Sequence, residues 1–127
     1  MLHYRTASAI ALLSFAALLA CKKTTADSTV TSSATLAADG KQRVAIRADD
    51  KGFTPSSVTV KKGQPAVLVF TRTTDDTCAK EVVFKEINLK KELPLNQPVE
   101  VEVPTADARS LAFTCGMGMF KGSVVVQ

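Results

Sequence analysis

The sequence predicts an all-β fold, a single antiparallel sandwich or barrel, in residues 42–127. Three observations carry this. Short runs of alternating apolar and polar residues recur from Gln42 onward. Gly, Pro and Asp interrupt them at close spacing, and no segment of this region has the 3.6-residue apolar period of an amphipathic helix. Such runs fit strands half buried against a common core, and a region this short supports one core only.

Taken in order, the first strand covers residues 43–48, where Val44, Ile46 and Ala48 share one face. Phe53-Thr54-Pro55 interrupts the chain before Val58 and Val60 resume the alternation. Lys62-Gly63-Gln64-Pro65 has turn chemistry and leads into an apolar strand over 66–70. Residues 81–84 read as another short strand. Val99, Val101 and Val103 alternate with Glu100 and Glu102 and stop at Pro104, and strands over 111–114 and 123–126 complete the set. Phe53, Phe70, Phe84 and Phe113 are expected in the core and Asp75-Asp76 in a turn. Lys61-Lys62 and Lys90-Lys91 are expected at solvated strand edges and turns.

Ahead of this region, Met1 to Arg5 form a short segment whose firm positive charge is Arg5, followed by an uncharged, mostly apolar run over residues 6–20. The run falls short of the roughly 20 residues that a bilayer-spanning helix needs and suits the apolar part of a secretory signal. It ends in Leu18-Leu19-Ala20-Cys21, which resembles the lipobox of bacterial lipoproteins. That resemblance implies cleavage before Cys21 and lipidation of its thiol. Residues 1–20 are thus expected to be a signal peptide and 21–41 a lipidated flexible tether. Residues 22–40 are rich in Thr, Ser, Ala and Asp without a sustained apolar period, so they bury too little to offset their chain entropy. The implied location is the bacterial cell envelope, with the domain anchored to a membrane and facing the periplasm or the exterior.

Cleavage also decides chemistry. It removes His3, the one histidine, together with Tyr4, and the chain has no Trp. Without imidazole no Ser-His-Asp or Cys-His nucleophile can be assembled, and the carboxylates form no evident acid–base pair, so no enzyme is expected. The net charge of +4, lowered by one with Arg5, is too small and too scattered for nucleic acid. Of the three cysteines, Cys21 is committed to lipid, leaving Cys78 and Cys115.

Phe113-Thr114-Cys115-Gly116-Met117-Gly118-Met119-Phe120 brings one thiol and two thioethers into a short glycine-containing loop. Soft sulfur ligands of this kind select Cu(I) and similar ions over hard cations. This loop, the stretch Gly52-Phe53-Thr54-Pro55 through Val58-Thr59-Val60-Lys61-Lys62-Gly63, and Cys78-Ala79-Lys80-Glu81-Val82-Val83-Phe84 together resemble the cupredoxins, the family of plastocyanin and azurin. The likeness is nearest to the cupredoxin-like domains of periplasmic iron-uptake and copper-handling proteins. It covers residues 42–127 and implies a Greek-key β-sandwich or barrel. It also implies that Cys115 stands at the family's cysteine ligand, that Met117 or Met119 stands at the positions of its loop histidine and axial methionine, and that Cys78 lies near its first histidine. The mature chain departs from the family in having no histidine at all, which excludes a blue-copper electron-transfer site.

These readings lead to an expectation of a copper site, Cu(I) in preference to Cu(II), built by Cys78, Cys115 and Met119, with Met117 and Glu81 as contributors. Glu81 lies three residues beyond Cys78, which on a regular strand points it away, so its part requires a bend. One methionine is expected to pack onto the sandwich, and Phe120 to cap the site against water. The expected role is copper trafficking or tolerance by a monomer, with a copper transporter or oxidase as partner. An alternative stays open: exported cysteines meet oxidising conditions, and a Cys78–Cys115 disulfide would give a stapled sandwich that binds no metal and serves as an envelope interaction module.

Overall fold

The computed structural model describes residues 31–127, with side chains from Ala34 onward. The expected signal peptide, Cys21 and the tether as far as residue 30 lie outside the described residues. Within them the fold is an all-β sandwich of two sheets.

Eleven strands follow one another: β1 (Thr31–Ser33), β2 (Thr35–Leu36), β3 (Gln42–Asp49), β4 (Gly52–Thr54), β5 (Ser57–Val60), β6 (Ala66–Arg72), β7 (Glu81–Phe84), β8 (Leu89–Glu92), β9 (Pro98–Val103), β10 (Arg109–Cys115) and β11 (Lys121–Val126). One sheet has the order β1-β5-β11-β10-β7-β8, the other β2-β3-β6-β9 with β4 paired to β3. The sheets are mixed. β1 with β5, β5 with β11, and β3 with β6 run parallel, because strands adjacent in one sheet are joined through the other. The remaining pairs are antiparallel, as expected for the whole sandwich.

The segment read as tether gives way to structure earlier than expected. β1 adds to the edge of one sheet beside β5, and β2 pairs with β3 in the other. Backbone pairing at sheet edges needs no apolar side chains, so the polar composition of this segment hid both strands.

Alternation sets the core. In β3 Val44, Ile46 and Ala48 face inward, and in β9 Val101 and Val103 do. Phe70, Phe84 and Phe113 are fully buried and Phe53 nearly so, with Phe113 at the centre, 5.2 Å from Phe53, 5.4 Å from Phe70 and 5.3 Å from Phe84. Val67 of β6 has outward parity yet is 1% exposed. It sits in register between Arg43 and Glu102, and the pairs Arg43–Glu100 and Lys41–Glu102 carry their aliphatic stems across that face.

The connections separate into two ends. The β3–β4 turn, the β6–β7 loop and the β10–β11 loop meet at one. At the other, the amide of Lys62 donates to the carbonyl of Gln127 (2.9 Å) and that of Gly63 to Thr105 (2.7 Å), joining the β5–β6 turn to the C-terminus and the β9–β10 connection.

Candidate metal centre

Cys115 is the last residue of β10, fully buried and paired with Val82 of β7. Beyond it the chain must reverse within five residues to start β11. The Gly118 amide donates to the Cys115 carbonyl (2.8 Å) and the Cys115 amide to the Phe120 carbonyl (3.0 Å), closing the loop on the cysteine. Gly118 takes φ +71°, a region that side chains disfavour. The Phe120 amide points inward and donates to the Cys115 sulfur at 3.3 Å.

Cys78 comes from the β6–β7 loop, which is pinned at several points. The buried Arg72 guanidinium donates to the carbonyls of Leu93 (2.6 Å) and Thr74 (3.1 Å) and pairs with Asp75. The Thr77 hydroxyl donates to the Asp49 carbonyl (2.7 Å) and accepts from the Ala79 amide (3.0 Å), while Ala79 itself is fully buried. So held, the Cys78 sulfur lies 3.2 Å from that of Cys115, both as free thiols.

The two thiols feel different surroundings. Burial pushes the Cys78 thiol up, and its contact with Cys115 adds to this. Burial pushes Cys115 up as well, but the Phe120 amide, the Cys78 thiol and the amides of Met119 and Met117 together outweigh it and hold Cys115 below the ordinary thiol value. The donors aimed at Cys115 favour its thiolate. The pair therefore ionises at Cys115 first.

Over Cys78 opens a depression of about 760 Å³, bordered by Met117, Met119, Phe120 and the carboxylates of Asp50, Asp75, Asp76 and Glu81. Neither methionine packs onto the sandwich as expected: Met117 is 74% and Met119 69% exposed. A five-residue reversal in which the amides turn inward leaves these side chains the outer side. Phe120 is half-buried, its ring lying against Gly52 and the core edge.

Glu81 does turn toward the site. Cys78 precedes the strand instead of belonging to it, so strand parity does not apply between the two. The Glu81 carboxylate lies over Gly116, where a Cβ would meet its Oε1 at 1.8 Å, and it pairs with Lys90 across β7–β8 at 2.8 Å. Among the described residues no three His, Cys, Asp or Glu side chains gather to hold a metal; Glu81, paired with Lys90, lies against the loop at Gly116. Sequence reasoning missed Arg72, Thr77 and the Phe120 amide. An arginine closing an apolar strand was the available signal for Arg72; the other two had none.

Residues 9–126 match the family described as cupredoxin-like domain. The chain belongs to this family. Among solved structures, the cupredoxin-like domain is similar to the metal-binding domain of the Cu(I)-exporting P-type ATPase CopA of Streptococcus pneumoniae D39, determined with Cu(I). The two share 31% identity over 79% of this chain and 98% of that one, with a TM-score of 0.71. It is also similar to a copper-binding protein determined in solution in the apo form, at 28% identity over 79% of this chain and 100% of that one, with a TM-score of 0.70. Reduced auracyanin of Roseiflexus castenholzii shares the fold, at 14% identity over 67% of this chain and 96% of that one, with a TM-score of 0.51. No curated protein matches the chain significantly.

Proposed function

We propose that this cupredoxin-like domain binds copper as Cu(I) through Cys78 and Cys115, with Met119 and then Met117 supplying thioethers, and that it carries copper for trafficking or tolerance without catalysing a reaction. The observation that carries the reading is the 3.2 Å contact of two free thiols, Cys78 lining a pocket rimmed by exposed thioethers and Cys115 buried beside it. Two thiolates and a thioether match the soft-ligand preference of Cu(I), and a Cys115 already biased toward thiolate lowers the cost of losing its proton to the metal. Copper binding by the metal-binding domain of CopA and by the solution-determined protein supports it further. In the same reading Cys21 carries the lipid anchor, the domain stands in the cell envelope as a monomer, and a membrane copper transporter or oxidase is its partner.

The test is an anaerobic titration of Cu(I) against a competing chelator after counting free thiols in the mature chain. Two thiols and tight binding are expected. Cys115→Ser weakens it by at least about tenfold, or about 1.4 kcal/mol, and Met119→Leu by less. The same sulfur contact favours one other reading, a disulfide-stapled sandwich without metal. A bridge that survives mild reductant, with no copper bound, selects that reading and rejects ours.

A further inference from the structure

The parallel pairing of β1 fixes the side from which the chain reaches the domain. β5 runs away from the sulfur pocket: it starts at Ser57, beside Ser56 whose carbonyl accepts from Ser123, and ends at Val60, next to the turn bonded to Gln127. β1 lies parallel to it, Thr31 opposite Ser57 and Ser33 opposite Thr59. The chain therefore enters β1 from the pocket side. Ser57 is level with Ser123, and Ser123 with Ala112, three residues before Cys115, or about 10 Å of strand. Residues 22–30 intervene between Cys21 and β1, and a segment of that length spans at most about 30 Å. Lys62, Thr105 and Gln127 occupy the opposite end. The pocket end also carries Met117 and Met119, two of the four large apolar side chains exposed among the described residues.

Resting on the reading that Cys21 is lipidated and the pocket binds copper, we propose that the tether presents the Cys78–Cys115 pocket toward the membrane that holds the anchor, so that the partner exchanging metal with it is a protein embedded in that membrane. A short tether entering from the pocket side leaves the pocket between domain and bilayer. Turning the far end to the membrane requires the tether to double back along β1. Exposed thioethers there suit contact with soft ligands offered at a membrane protein's outer surface.

The chain has no Trp, so a single introduced Trp reports position. The lipidated mature chain is placed on zwitterionic vesicles containing a lipid with a nitroxide on its headgroup. Asp76→Trp marks the pocket rim and Lys62→Trp the far end, both at exposed positions. Quenching is expected to be at least twofold stronger for Asp76→Trp. Equal quenching, or stronger quenching for Lys62→Trp, overturns the proposal. A second measurement compares thiol labelling of the vesicle-bound chain with that of the unlipidated mature chain carrying Cys21→Ser. A bulky polymer-linked maleimide is expected to label Cys78 several-fold more slowly on vesicles while a small maleimide is unaffected, and unchanged bulky labelling overturns the membrane-partner assignment. Vesicle flotation and Cu(I) titration on the same samples separate the causes. Failure to float rejects the anchor and the proposal with it; loss of copper binding rejects the copper reading; intact flotation and binding without a quenching difference rejects the orientation alone.

Discussion

The Cys78 sulfur lies 3.2 Å from the Cys115 sulfur, yet inward-pointing backbone amides reach Cys115, while burial and its partner thiol dominate at Cys78. Two identical groups in contact are thereby made unequal by the loop that ends one strand and the bend that precedes another.

A thiolate titration by far-ultraviolet absorbance, undisturbed in a mature chain without Tyr or Trp, is expected to show one thiol ionising below the ordinary value and one above it. The linkage signs follow. Cys115, lowered in the fold, adds stability that is present above its unfolded pKa and lost as pH falls through its folded one. Cys78, raised in the fold, adds stability that is present below its unfolded pKa and lost as pH rises toward its folded one. The thiols' joint contribution to the stability of the metal-free domain is therefore expected to peak near the ordinary thiol value, and Cys78→Ser to lessen the alkaline decline. Denaturation midpoints across pH check both, and a single step for both thiols contradicts the asymmetry.

Two glycines beside the site carry different penalties. At Gly122 a Cβ meets Phe113 Cζ at 2.3 Å and the Ser56 carbonyl oxygen at 2.7 Å, a fully buried ring and a backbone atom. Gly122→Ala is expected to cost about 1–3 kcal/mol by overpacking. At Gly116 the obstacle is the Glu81 side chain, which can swing away at the loss of its pairing with Lys90. Gly116→Ala is expected to cost about 1 kcal/mol or less. Adding Glu81→Ala should absorb that cost, a coupling that urea denaturation of the double-mutant cycle reads directly.

Arg72 touches neither sulfur but ties Thr74, in the loop bearing Cys78, to Leu93 beyond β8. Arg72→Met leaves those carbonyls without their donor and is expected to cost about 1–3 kcal/mol. Cu(I) affinity is expected to fall with it, while Lys85→Met, an exposed lysine on the β7–β8 turn, leaves both unchanged. Denaturation and chelator competition on the two variants decide this.

How much of this was legible depended on where side chains, and not backbone, determine the structure. Val44, Ile46 and Ala48, and the valine–glutamate alternation of β9, announced their strands because one face is core and the other water. β8 is Leu-Lys-Lys-Glu and β1 is Thr-Ser-Ser; both form at sheet edges through backbone bonds, which composition does not record. The parallel pairings were invisible because alternation reports which face is buried and says nothing of strand direction. At the site, Cys78, Cys115 and the methionines were readable as a group of soft sulfur atoms gathered at one end of the sandwich. The Glu81 turn was not, since parity assumed a strand that begins only at Glu81 itself. The exposure of both methionines follows from inward-turning amides that no residue pattern encodes.

The pairing of β5 with β11 joins Ser57 to Ser123, and β10 meets β7 only through Thr114 and Cys115. Contacts so distant along the chain form late in folding, after the loop between them has been closed. If exported as proposed, a chain emerging N-terminus first has Cys78 outside before Cys115, with no partner sulfur for a metal to bridge. On the proposed reading of an exported copper carrier, copper capture is thus deferred until translocation is complete, and the chain stays metal-free until its last strand is in place.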